Sequence, residues 1–220
     1  MKKGGKLMDK NKFEIVRLRM ERTAQALRDN NMYCECADNT QEALEILKDL
    51  IEEDDTVTVG GSMTLFEAGV IDFLRDGQYE FLDRYEKGIS AEQLKEIYRK
   101  AFFSDVFVTS TNAITENGEL YNVDGNGNRV AAMIYGPESV IVIAGYNKIV
   151  KDLDEAKTRV QSLAAPANAV RLGLNTPCTV TGKCMNCKSE SRICADTVIM
   201  ARQRTKDRIK VILVGEELGY

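Results

Sequence analysis

The sequence predicts an α/β fold, a three-layer α/β/α sandwich around a mostly parallel sheet, and three observations carry that expectation. Segments of helical and of strand periodicity alternate along the chain. SVIVIAGYNKI is nearly continuously apolar, as expected of a central strand covered on both faces. DDTVTVGGSMTLFEAGVIDFLRD reads as strand, tight turn and helix, the repeating unit of parallel sheets.

Taken in order, KFEIVRLRMERTAQALR places Phe13, Val16, Met20, Ala24 and Leu27 at helical spacing, an N-terminal helical extension over residues 1–30 ahead of one domain over 31–220. MYCECA alternates as a short strand with Cys34 and Cys36 on one face, where free cysteine packs as a hydrophobe. Asn39 with Glu42 gives a capping-box signal for a helix striped by Ala43, Leu44, Leu47 and Ile51. Beyond the glycine pair, Leu65, Phe66, Val70, Phe73 and Leu74 predict one helix, and Ser90 with Gln93 caps another over ISAEQLKEIYRKAFF. DVFVTSTNAIT is a strand running into a polar loop. DGNGN between LYNV and VAAMIY reads as a hairpin turn, with Gly125 and Gly127 permitting positive φ. DLDEAKTRVQSLA is a helix starting near Asp152 or Asp154, and RIKVILVGEELGY ends the sheet with a buried strand.

Composition narrows the function. The 220 residues are 44% hydrophobic, enough for one substantial core, and the net charge of -4 argues against a nucleic-acid surface. MKKGGKLMDKNK lacks the apolar core of a signal peptide, and no segment has the unbroken apolar run of a membrane helix, so the expectation is a cytoplasmic protein whose cysteines stay reduced. With no histidine, a soft-metal site must rely on thiolates.

Four stretches can carry chemistry. In GGSMT the backbone N–H groups of Gly60, Gly61 and Ser62, with the hydroxyls of Ser62 and Thr64, suit an anion at a helix N-terminus; the plain alternative is a glycine turn with Ser62 as N-cap. It is neither a Walker loop nor a dinucleotide fingerprint. Thr109, Ser110, Thr111 and Asn112 end a strand and would face the same crevice if the two strands are neighbours, with Glu116 the nearest acid or base; the alternative is a turn held by local hydrogen bonds. Asn128 and Arg129 follow the DGNG turn, where Arg129 either reaches a ligand carboxylate bidentately or makes a structural salt bridge. Finally, Cys178, Cys184, Cys187 and Cys194 form C-x5-C-x2-C-x6-C. Four thiolates suit a [4Fe–4S] cluster or structural zinc; redox-active thiols and reduced, non-ligating cysteines are the alternatives. Lys183, Lys188 and Arg192 interleave with them and serve either reading.

GGSMTLFEAGV, TSTNAITENGELYNVDGNGNRVAAMIYGPESVIVIAGYNKIV, and PCTVTGKCMNCKSESRIC followed by VILVGEELGY resemble the LUD domain family of lactate-utilization proteins over nearly the whole chain from about residue 12. The resemblance implies a fold similar to the NagB/RpiA/CoA-transferase group and a part in oxidising L-lactate alongside redox partner subunits. The ferredoxin-like run of fused members is absent, so the chain resembles a stand-alone LUD protein. The leading expectation is therefore an accessory or electron-transfer component that binds a small anionic metabolite. Gly60, Gly61, Ser62 and Thr64 would hold the anion, Thr111, Asn112 and Arg129 would orient the rest, and the cysteines would carry a cluster. A hydride-transfer dehydrogenase is disfavoured, because no nucleotide fingerprint and no histidine are present. The alternatives are an isomerase or acyl/CoA-transferase acting on a phosphorylated or CoA-linked substrate through Glu116 or Glu67, and a non-catalytic scaffold pinned by zinc.

Overall fold

The computed structural model describes residues 8–220; the start of the lysine-bearing N-terminal stretch, residues 1–7, lies outside the described residues. Helix α1 (Lys10–Asp29) starts at Asp9, whose carboxylate accepts the N–H groups of Asn11 and Lys12. Strand β1 (Tyr33–Ala37) leads to α2 (Thr40–Asp49), where Asn39 accepts the Glu42 N–H at 3.0 Å and the Glu42 carboxylate accepts the Asp38 N–H at 2.7 Å. After β2 (Thr56–Val59), the single helix expected from the periodicity is two, α3 (Met63–Glu67) and α4 (Val70–Asp76). Gly69 stands between them at φ 73°, a left-handed conformation that ends the first and redirects the second. The short β3 (Glu80–Phe81) precedes α5 (Ala91–Lys100), which carries the full Ser90–Gln93 capping box.

Next come β4 (Val106–Thr109), β5 (Ala113–Thr115), β6 (Leu120–Asp124), α6 (Asn128–Ile134) and β7 (Ser139–Gly145). A 3-10 turn (Tyr146–Lys148) and β8 (Ile149–Val150) follow. α7 (Leu153–Arg159), capped by Asp152, continues through a π-helical turn (Val160–Ala164) into α8 (Ala165–Arg171). Pro166 offers no N–H to the carbonyls of the preceding turn, and the Cys184 N–H donates to Gln161 O at 3.1 Å there. α9 (Pro177–Thr181), β9 (Asp196–Met200) and β10 (Ile209–Val214) complete the chain.

Six strands form one wholly parallel sheet in the order β1-β10-β7-β4-β2-β3. Its alternating residues divide the core. Val140, Val142 and Ala144 of β7 join Val211 and Leu213 of β10 under Met20, Ala24 and Leu27 of α1, whereas Ile141, Ile143, Ile212 and Val214 face Leu47, Leu65 and Leu74 of α2, α3 and α4. The expected three-layer α/β/α arrangement is therefore present, with α1 covering one face of the sheet through Met20, Thr23, Ala24 and Leu27. A second sheet, β8-β5-β6-β9, covers part of the α1 face with Ile114 and Leu120, and packs α7 on its other side. Among the described residues no helix is long and apolar enough to cross a membrane.

Two local expectations are corrected. The hairpin expected around DGNGN does not form, because NRVAAMI is helix α6 rather than a strand. Gly127 takes φ 73°, and the Asp124 carboxylate accepts the N–H groups of Gly125 (2.8 Å) and Val130 (3.3 Å), turning the chain into a segment whose paired alanines favour helix. Gly125 is needed for proximity instead, since a Cβ there would stand 3.2 Å from Ile193 O. The hairpin lies one loop earlier: β5 and β6 pair antiparallel, and Gly118 at φ 77° closes their turn. The second correction is β9, a strand the sequence reading passed over, which pairs antiparallel along β6 immediately after the cysteines.

Candidate functional site

Parallel strands deliver their carboxyl ends to one edge, where ligands of open α/β sheets bind. Here Gly61, Ser62 and Thr64 follow β2, Ser110, Thr111 and Asn112 follow β4, and Lys148 follows β7. Together they line one crevice of about 330 Å³. Asn128 and Arg129 of α6 wall one side, and Val160, Ala164 and Arg171 of the π-bulged helix wall another. The structure thus brings together the glycine loop, the hydroxyl run and Arg129 from three separate stretches of sequence.

Gly60 and Thr109 lie beneath the crevice rather than on its wall. Gly60 N–H donates to Val108 O at 2.9 Å, and a Cβ at Gly60 would overlap Thr109 Oγ1, so glycine is what lets the loop leave β2 past β4. A Cβ at Gly61 would stand 3.4 Å from Arg84 Nη1. Arg84 donates to Tyr98 Oη at 2.6 Å and lies 4.7 Å over the Tyr98 ring, while its buried Nε has no hydrogen-bond partner among the described residues. The five residues of α3 make a single turn with little dipole, and Ser62 makes no side-chain capping bond. Positive charge in the crevice therefore comes mainly from side chains. Arg84, Arg129, Lys148 and Arg171 line it, against one acidic side chain, Asp124.

Arg129 is buried and fully engaged. Its Nη1 donates to Ser110 O (3.0 Å) and Asn122 Oδ1 (2.8 Å), its Nη2 to Asn112 Oδ1 (3.2 Å) and Val123 O (2.9 Å), and Nε stands 3.5 Å from Asp124. Burial pulls its pKa down and Asp124 opposes that shift. The structural ion-pair alternative thus describes its contacts, and it is the orienter of the Ser110–Asn112 loop. Asn112 serves the same joint, since its Oδ1 also accepts the Val123 N–H at 2.8 Å and its carbonyl accepts Arg159 Nη1 at 2.7 Å. Thr111 Oγ1 lies 3.1 Å from both Ala113 O and Tyr121 O.

Lys148 was not singled out from the sequence. Its ammonium is buried and donates to Thr64 Oγ1 (2.8 Å), Ser110 Oγ (3.0 Å) and Thr111 O (3.1 Å), all neutral acceptors. Burial first, then the guanidinium groups of Arg159 and Arg129, lower its pKa to about 7. The available signal was a lone lysine just past the carboxyl end of a nearly continuously apolar strand. Arg84 and Arg171, also missed, arrive from segments with no local motif.

The two glutamates stand elsewhere. Glu116 sits in the β5–β6 turn, where its carboxylate accepts Arg19 Nε of α1 at 2.7 Å, outside the crevice lining. Glu67 accepts the Gly219 N–H at 2.6 Å and fastens the segment after β10; it too is absent from the lining.

The four cysteines converge. Cys178, Cys184, Cys187 and Cys194 line one cavity of about 20 Å³ against Pro166 and Ala169 of α8, although no three acidic or thiol side chains among the described residues stand in metal-holding geometry. Arg192 donates to Cys187 O (2.6 Å) and Cys194 O (2.9 Å), tying the loop by its backbone. Burial raises the Cys194 pKa and Arg192 opposes it. Ala165, Ile193 and Cys194 line both cavities, so one thin wall separates the thiols from the crevice.

The sequence model for the LUD domain matches residues 20–214. A DUF162 family protein from Deinococcus radiodurans, solved by crystallography, is similar in fold, with a TM-score of 0.52 and 14% identity over 90% of this chain and 98% of that one. The malonate decarboxylase alpha subunit from Acinetobacter baumannii gives a TM-score of 0.39 at 13% identity, over 96% of this chain and 38% of that one. eIF2B beta from Chaetomium thermophilum gives 0.37 at 14% identity, over 54% and 45%. A comparison with curated proteins gives no match.

Proposed function

The chain belongs to the LUD domain family, and from that premise we propose that it binds a small 2-hydroxy or 2-oxo acid in the crevice and serves as an accessory or electron-transfer component of organic-acid oxidation, as in lactate utilization. The observation that carries this reading is the gathering of Arg84, Arg129, Lys148 and Arg171 against one acidic side chain at the carboxyl ends of parallel strands. Arg129 already satisfies Asp124, which leaves Arg84 and Arg171 as the adaptable cations for an incoming carboxylate. Titration calorimetry with L-lactate and pyruvate tests it. The Arg84→Ala, Arg171→Ala double variant is expected to bind at least about tenfold more weakly, the worth of one charge-assisted hydrogen bond. Equal affinity for lactamide, the neutral analogue, would sink the anion reading.

Electron transfer needs a redox centre, and the convergence of four thiols on one cavity supports a cage at Cys178, Cys184, Cys187 and Cys194. A second reading takes the same four cysteines as a structural site holding one zinc, since Arg192 already ties their loop by its backbone at Cys187 O and Cys194 O. Zinc there would pin the 178–194 segment to α8 and leave the protein non-redox. Anaerobic purification with metal analysis and visible absorption is expected to give about one zinc per chain and a colourless protein. Brown protein with iron and sulfide, lost in Cys184→Ser, Cys187→Ser, would restore the electron-transfer role, and metal-free fresh protein would exclude both cages.

A further inference from the structure

We propose that Lys148 is an imine-forming amine, and that a 2-oxo acid held in the crevice is attacked at its carbonyl carbon by Lys148 Nζ. The inference rests on the acid-binding reading of the crevice and names what the site does with the acid. Four features of the geometry carry it. Lys148 lines the crevice, so a bound carbonyl has access to it, although the residue is only 3% exposed. Its three contacts are two hydroxyls and a backbone carbonyl. A lysine buried for structural charge pairing is expected to face a carboxylate, and this one does not. The charges that act on it most are the guanidinium groups of Arg159 and Arg129, which disfavour a permanent ammonium, with Glu67 opposing them. Finally, the hydroxyls of Thr64 and Ser110 stand 2.8 and 3.0 Å from Nζ, where they can pass protons between nitrogen and the departing oxygen.

The step balances without a co-reactant. The amine lone pair forms the C–N bond while the carbonyl π pair moves onto oxygen, which takes a proton. The resulting carbinolamine then loses water. Overall, an ammonium and a ketone give an iminium and water, two of the three ammonium protons leaving on the oxygen, with no change in oxidation state. The nucleophile requires the free amine, and the same burial that lowers the pKa to about 7 supplies it near neutral pH. Arg84 and Arg171 share the crevice and are placed to hold the acid's carboxylate.

Borohydride trapping tests the step. Full-length protein is incubated with pyruvate or 2-oxoglutarate, reduced, and examined by intact mass and peptide mapping, with calorimetry of the same acids run in parallel. The expected result is one covalent adduct, the mass of the acid less its carbonyl oxygen, on Lys148 and absent from Lys148→Met. If an acid binds and no adduct appears on Lys148, or adducts fall only on exposed lysines, the imine is overturned and the acid-binding reading stands. If neither acid binds, both are overturned.

Discussion

Replacing Arg129 with methionine is expected to destabilise the protein by about 3–5 kcal/mol, the cost of removing one partner from a buried charge network. The volume is nearly kept, so a cavity is not the cause. Four acceptors, Ser110 O, Asn122 Oδ1, Asn112 Oδ1 and Val123 O, each lose a donor, and the largely buried Asp124 carboxylate is left without its counter-charge. Lysine should not rescue the loss, because a single ammonium cannot reproduce a planar fork directed at four acceptors. Differential scanning calorimetry should show a Tm fall on the order of 10 °C for Arg129→Met and most of that fall for Arg129→Lys. A wild-type Tm in the methionine variant would mean that the guanidinium is held for a ligand instead.

The opposite sign is expected at Lys148. Its folded pKa is lowered from 10.5 to about 7, so between those values the unfolded chain binds a proton that the folded chain does not. Stability therefore rises with pH across that window, and the penalty is complete below about pH 7. The penalty corresponds to roughly 5 kcal/mol. Lys148→Met forfeits hydrogen bonds to Thr64, Ser110 and Thr111, but Thr64 Oγ1 keeps Leu218 O at 3.3 Å and Ser110 Oγ keeps Thr111 O at 3.4 Å. Net stabilisation of about 2 kcal/mol at pH 6 should appear as a higher urea midpoint, shrinking as the pH approaches 10. A midpoint difference that does not change with pH would contradict it. A group that weakens the fold while lining a crevice fits one retained for chemistry.

How far the sequence reached differs from element to element. β7 and β10 were legible because burial on both faces forces an unbroken apolar run, and the cap at Asn39 and the box at Ser90 were legible because their donors and acceptors lie within one turn. VAAMIY was not, since a short apolar run fits strand and helix equally, and the deciding contacts came from Asp124 and Gly127. β9 escaped because it is an edge strand in which the exposed Ile199 stands between inward Val198 and Met200, so the sequence shows no apolar–polar alternation. Within the site, the GGS loop and the Ser110–Asn112 run declared themselves by composition. Lys148, Arg84 and Arg171 did not, because their meaning comes from segments far apart in sequence, and Glu116 is claimed by Arg19, 97 positions away.

The strand order also constrains the timing of assembly. β10 lies between β1 and β7, so the last of the described strands fills an interior slot, pairing Tyr33 with Lys210 on one side and Val140 with Ile209 on the other. As the chain leaves the ribosome, β1 has no strand neighbour in the parallel sheet until residues 209–214 have been made. The partner edge of β1 and one edge of β7 stay unpaired until then, which delays closure of the sheet to a late, long-range step.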